Sequence, residues 1–200
     1  MRTDTITRKT KETDITLTLN LDGGGACDIK TGIGFFDHML ELFAVHGRFD
    51  LTLRCNGDLT VDAHHSVEDI GITLGKLINK LLGDKKGIAR YACQTIPMDD
   101  ALVRVVLDLS GRPYLAYDVK LYPDTEKTDK HLLGGFDPEL CEEFFRAVSA
   151  YGTMNLHITK LDGKNKHHII EACFKAFARA LKDAASIISN TILSSKGILE

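Results

Sequence analysis

Residues 15–21 alternate strictly: Ile15, Leu17, Leu19 and Leu21 fall on one side, Thr16, Thr18 and Asn20 on the other. A period of two predicts a strand buried on one face, and Gly23-Gly24-Gly25 ends it. From about Phe36 to Val45 the period lengthens, with Phe36, Leu40 and Phe43 sharing one side of a predicted helix. Phe49, Leu51 and Leu53 return to alternation and predict a second strand. Val67, Ile70, Leu74, Leu77 and Leu81 then form the apolar stripe of a longer helix from about His64 to Leu82. The second half opens on a predicted strand over Ala101–Leu109, a turn at Ser110-Gly111-Arg112-Pro113 and a strand from Tyr114 to Leu121. Residues 122–135 are polar and read as irregular. Helix, strand and long helix then recur over Pro138–Ala150, Met154–Thr159 and His167–Ile187.

That recurrence is an internal repeat. A shift of 105 residues lays Phe36–Arg54 over Cys141–Thr159 without a gap, so that Gly47 meets Gly152, Leu51 meets Leu156 and His38 meets Glu143. A shift of 103 lays His64-His65-Ser66-Val67-Glu68 over His167-His168-Ile169-Ile170-Glu171. Identities are few, but the element order and the polar positions coincide. The expectation is an α+β fold of two half-repeats, residues 1–86 and 87–200, the second carrying a C-terminal tail. The halves pack about a pseudo-twofold axis as one globular domain.

Composition narrows the class. With 200 residues, 44% hydrophobic and 26% charged, the chain can bury a core without disulfides. Its net charge of −3 argues against a nucleic-acid partner, whose phosphates demand many cations. Five cysteines, an odd number with no CxxC pair, argue against a disulfide framework or a thiolate zinc site. The N-terminus lacks an apolar core of the signal-peptide kind and no apolar run is long enough to span a membrane, so a cytoplasmic location is expected.

Eight histidines remain to be explained. On a helix, His64 and Glu68 are i,i+4 neighbours and can reach one cation from one face. His65 is rotated by about 100° and addresses a different partner. The same holds for His167, Glu171 and His168. Imidazole with carboxylate and without thiolate suits Mn, Fe, Zn or Ni. The pseudo-twofold suggests that His64 and Glu68 share an ion with His168 and Glu143, and that His167 and Glu171 share one with His65 and His38. Whether the halves meet within one chain or between chains stays open. Taken singly, His38 could be a helix-face histidine bonded to Asp37, Glu143 an exposed helix charge and His46 a cation at a helix C-terminus. His131 and His157 lie outside the repeat.

Several long motifs occur in order: Thr10-Lys11-Glu12-Thr13, Phe36-Asp37-His38-Met39-Leu40, Asp62-Ala63-His64-His65-Ser66-Val67-Glu68-Asp69, Asp108-Leu109-Ser110-Gly111-Arg112-Pro113-Tyr114, Gly163–Ala172 and Ser194-Ser195-Lys196-Gly197. Through them the chain resembles the imidazoleglycerol-phosphate dehydratase family over nearly its whole length. The resemblance implies two half-domains, each a four-stranded sheet with two helices on one face. It also implies two Mn2+ ions per active site and a shell of 24 subunits with sites between subunits; no membrane partner is expected, because no apolar run is long enough to span a membrane. The implied metal ligands are His38, His64, His65, Glu68, Glu143, His167, His168 and Glu171. At Glu143 many relatives have His, and Glu makes the site harder and more negative. The implied substrate contacts are Glu12, His46, Arg90, Arg112, Lys175, Ser194, Ser195 and Lys196, with a tail that orders on the phosphate.

The implied reaction dehydrates imidazole glycerol phosphate to imidazole acetol phosphate in histidine biosynthesis. No carbonyl activates the leaving hydroxyl, so the ring must do so as an imidazolate held between two metal ions. Catalytic roles fall to Glu12 as acid/base and to His65, Glu68, His168 and Glu171 through the metals. A metal-storage shell and a metal-dependent hydrolase are the competing readings. Storage needs no phosphate pocket, and hydrolysis needs an open metal position for water.

Overall fold

A computed structural model describes residues 1–121 and 132–199. Most of the segment expected to be irregular, and His131 with it, lie outside the described residues.

The first half runs β1 (Thr3–Lys9), β2 (Thr13–Asn20), β3 (Cys27–Lys30), α1 (Gly34–Gly47), β4 (Asp50–Gly57) and α2 (His64–Leu82). The second repeats that order as β5 (Tyr91–Met98), β6 (Ala101–Asp108), β7 (Tyr114–Asp118), α3 (Leu140–Gly152), β8 (Asn155–Asp162) and α4 (Lys166–Ala184). The sheets have matching strand orders, β1-β2-β4-β3 and β5-β6-β8-β7. Each has one parallel pair, β3 with β4 and β7 with β8, the other pairs being antiparallel. The fold is α+β and internally duplicated.

Alternation decides which face of each sheet is covered. In β2, Ile15, Leu17 and Leu19 are buried while Thr16 is exposed; in β6, Val103, Val105 and Leu107 are buried. The helices lie on those buried faces, α2 against α3 and α1 against α4. α2 therefore buries more than one stripe: Gly71, Thr73 and Gly75 are covered as well as Val67, Ile70, Leu74 and Leu77. Leu81, expected in the stripe, is only half-buried.

Phenylalanines from three helices knit the halves together. The Phe36 ring (α1) lies 5.3 Å from Phe144 (α3) and 6.4 Å from Phe174 (α4), and Phe144 stacks on Phe174 at 5.2 Å. Polar bonds add to this at the edge. Arg2 donates to the Ala185 carbonyl at 2.7 Å while its guanidinium pairs with Asp22, and Lys182 donates to the Leu21 carbonyl at 2.9 Å. Among the described residues no helix is long and apolar enough to cross a membrane.

Candidate active site

The histidines that matter sit in the first turns of α2 and α4. At α4 the Asn165 side chain accepts from the backbone N–H of His167 and His168, a cap that starts the helix where the sequence has them. At α2, Asp62 does the same for the N–H of His64, at 2.8 Å.

Because α1 packs on α4, His38 meets the α4 pair. His167 Nε2 lies 3.3 Å from the Glu171 carboxylate and His38 Nε2 lies 3.9 Å from it. Ligand atoms of these three residues all fall within 4.8 Å of one another, as a cation requires. His38 is not bonded to Asp37, whose carboxylate instead accepts the N–H and hydroxyl of Thr31. Lys175, one turn along α4, donates to Glu171 at 2.6 Å. Burial raises the Glu171 carboxyl, but Lys175 with His38 and His167 outweighs it and the net shift is downward. Burial, followed by the Lys175 charge, pushes His46 down.

The related arrangement lies where α2 meets α3. His64 Nε2 stands 3.9 Å from Glu68, and His64 and Glu143 line one cavity of about 690 Å3. Glu143 turns toward Arg146 at 3.7 Å, so its carboxylate does not converge on the other two in the manner of His38.

His65 and His168 join neither group. His65 Nδ1 bonds Asp58 at 3.0 Å, its Nε2 lies 3.8 Å from Glu12, and the Asp58 bond raises its pKa. His168 Nδ1 bonds Asp100 at 2.7 Å and its Nε2 lies 3.6 Å from Asp99. The backbone N–H of Lys164, then His168, then the N–H of Asn165 hold the Asp100 carboxyl well below the usual carboxylate range. Glu12 itself is exposed in the turn between β1 and β2.

Arg90, Arg112, Ser194, Ser195 and Lys196 come together around a separate cavity of about 410 Å3. Arg90 is fixed by Asp108 at 2.7 Å and anchors the tail through the Leu193 carbonyl at 2.7 Å. Converging cations and hydroxyls suit an anion. His46, Lys175 and Glu12 lie outside this cavity's lining.

Sequence reasoning missed Asp58, Asp99 and Asp100. Asp58 follows a glycine at a strand end, and Asp99-Asp100 reads as ordinary hairpin chemistry, so neither carries a pattern of its own. His157 lies on the outer sheet face with its ring 5.5 Å from Tyr114.

Fold and site define a duplicated α+β protein with a candidate metal-binding group and a separate cavity lined by Arg90, Arg112, Ser194, Ser195 and Lys196. A family model for imidazoleglycerol-phosphate dehydratase matches residues 31–181. The chain is 55% identical over 196 residues to an imidazoleglycerol-phosphate dehydratase of Acetivibrio thermocellus, covering 97% of each chain. It is 55% identical over 201 residues to that of Lachnoclostridium phytofermentans, covering 100% of this chain and 99% of the relative. Among solved structures it superposes on the Pyrococcus furiosus enzyme in complex with (S)-C348 with a TM-score of 0.81 and 37% identity, covering 97% of this chain and 100% of that one. The Staphylococcus aureus enzyme gives 0.79 and 41%, covering 91% and 97%. The chain belongs to the imidazoleglycerol-phosphate dehydratase family, lyases of histidine biosynthesis.

Proposed function

We propose that this chain dehydrates imidazole glycerol phosphate to imidazole acetol phosphate in the cytoplasm, using two Mn2+ ions per active site. The observation that carries the metal dependence is the convergence of His38, His167 and Glu171. Two imidazoles and a carboxylate without thiolate form a donor set that fits Mn2+. His64, Glu68 and Glu143 hold the second ion. His65 and His168, which join neither group within the chain, complete the centres of neighbouring copies in a 24-subunit shell. Each donor set draws on both half-repeats, residues 1–86 and 87–200: His38 joins His167 and Glu171, and Glu143 joins His64 and Glu68.

When bound, the two ions supply Lewis acidity that stabilises the imidazolate form of the substrate ring. Arg90, Arg112 and Lys196 neutralise the phosphate, and the Ser194 and Ser195 hydroxyls donate to its oxygens. His46 and Lys175 are further substrate contacts, Lys175 beside Glu171. Glu12, beside His65 Nε2, moves the proton on the carbon chain of the substrate. His65, Glu68, His168 and Glu171 act on the reaction by holding the ring's ions in place.

Activity assayed with added manganese, after chelation, tests the reading. Restored dehydration with the phosphate ester intact supports it, and release of inorganic phosphate indicates a hydrolase. A storage shell would show no thermal shift with a triazole phosphonate.

A further inference from the structure

The carboxylates of Asp58 and Asp100 do the same thing in the two halves. Each accepts from Nδ1 of the second histidine of a His-His pair, Asp58 from His65 at 3.0 Å and Asp100 from His168 at 2.7 Å. An ionised carboxylate has no proton to give, so Nδ1 must carry one. In the neutral ring that leaves the Nε2 lone pair free; a carboxylate lies beside each Nε2, Glu12 at 3.8 Å from His65 and Asp99 at 3.6 Å from His168.

The two residues are not repeat equivalents. Asp58 lies just beyond β4, whereas Asp100 lies in the turn between β5 and β6. The same bond is therefore built twice from different loops, as expected if the bond itself is what matters. Both mounts are stiff. The Asp58 N–H donates to the Glu12 carbonyl at 3.0 Å and the N–H of Val61 returns to the Asp58 carbonyl at 2.8 Å. Asp100 accepts the N–H of Lys164 at 2.7 Å and of Asn165 at 3.0 Å on its second oxygen. The second oxygen of Asp58, Oδ1, is buried without a hydrogen-bond partner among the described residues.

We infer that Asp58 and Asp100 are positioning residues that lock His65 and His168 in the Nδ1–H tautomer, aiming Nε2 at a metal ion. The inference rests on the proposed role of those histidines as ligands. Carboxylates behind a metal-bound histidine fix its orientation and raise its basicity, and their loss costs about 10–100-fold in metal affinity.

The test uses the full-length protein and the variants Asp58→Asn and Asp100→Asn, whose folding is checked by circular dichroism. An Asn side chain can turn its NH2 toward Nδ1 and reverse the tautomer. In the metal-free protein, histidine 15N chemical shifts are expected to show Nδ1 protonated at His65 and His168, and that preference lost in the matching variant only. Manganese titration against a competing chelator is expected to weaken by about 10–100-fold. The loss should persist at 1 M salt, where a long-range charge effect is screened. Unchanged 15N shifts overturn the inference, as does a weakening that salt abolishes. If instead the shifts change while manganese affinity does not, and His65→Ala also binds normally, the ligand assignment fails and the positioning role fails with it.

Discussion

Gly71 and Gly75 set the spacing between α2 and α3, and substituting Gly75 tests that spacing. A Cβ on Gly75 would lie 2.8 Å from the Gly152 backbone nitrogen and 2.9 Å from the Val148 carbonyl oxygen. Both are backbone atoms of α3, so no rotamer change relieves the contact. Reaching ordinary contact at 3.4 Å from 2.8 Å means moving the helices apart by about 0.6 Å, an overpacking that costs about 1–3 kcal/mol. Alanine returns about 1 kcal/mol through its better helix propensity. The Gly75→Ala variant is therefore expected to lose about 1 kcal/mol, or about 2–4 °C in Tm for a chain of this length. A Cβ on Gly71, one turn earlier, meets Phe144 O and Ala147 Cβ, both at 2.8 Å. One outward shift of α3 relieves both positions, so the double variant should cost less than the sum of the two. α3 also carries Glu143, so the shift draws it from His64 and Glu68 and weakens manganese there, sparing His38, His167 and Glu171. The assay is urea unfolding at several protein concentrations, because assembly contributes to apparent stability, followed by manganese titration. A Gly75→Ala protein stabilised by about 1 kcal/mol, the propensity gain alone, would refute the close contact of α2 with α3.

Asp69 is buried, accepting from Arg8 at 2.7 Å and from the Thr13 hydroxyl at 2.5 Å, which ties β1 and β2 to α2. Asp69→Ala is expected to cost about 3 kcal/mol in urea unfolding, because a cation and a hydroxyl lose their partner. The Asp22 carboxyl is held at about 2 by its bonds to Arg2, against partial burial. A depressed carboxylate contributes its stability above the unfolded value near 3.8 and loses it as pH falls toward 2. Since Asp22 is about a third exposed, Asp22→Asn should cost about 1 kcal/mol at pH 7 after solvent screening, and the gap from the parent should close between pH 4 and pH 2. Glu12→Gln should keep binding of a triazole phosphonate, read by thermal shift, while kcat falls by about 100-fold or more. Near-normal turnover removes Glu12 from the mechanism.

Strands with a dry face were legible in the sequence; of the others, β7 was expected over Tyr114–Leu121 and runs Tyr114–Asp118, while β1, β3 and β5 were not seen. β2 and β4 announced themselves through alternating apolar residues, β6 through its Leu and Val, and β8 through Leu156 and Ile158 in alternation. β1 reads Thr-Asp-Thr-Ile-Thr-Arg-Lys, with one apolar residue, and its place in the sheet comes from pairing with β2. β3 has four residues after a glycine run, too few for a period to show. β5 lies at a sheet edge and contains Pro97, which local rules count against a strand. Helix ends shifted by a few residues, α4 closing at Ala184 where Ile187 was expected. The i,i+4 pairs His64/Glu68 and His167/Glu171 were readable from spacing, because a helix fixes their distance locally. Their partners were readable only through the repeat, since the meeting of α1 with α4 is a tertiary fact. Asp58 and Asp100 were invisible for the same reason: each meets its histidine across a loop, with no period to mark it.

Anomalous diffraction at the manganese edge, from crystals of this chain grown with manganese, tests the two-ion account most directly. The account predicts two strong peaks per chain, one bound by His38, His167 and Glu171 and the other by His64, Glu68 and Glu143, each completed by His65 or His168. A single peak, or His64 and Glu68 bound to different ions, would contradict it.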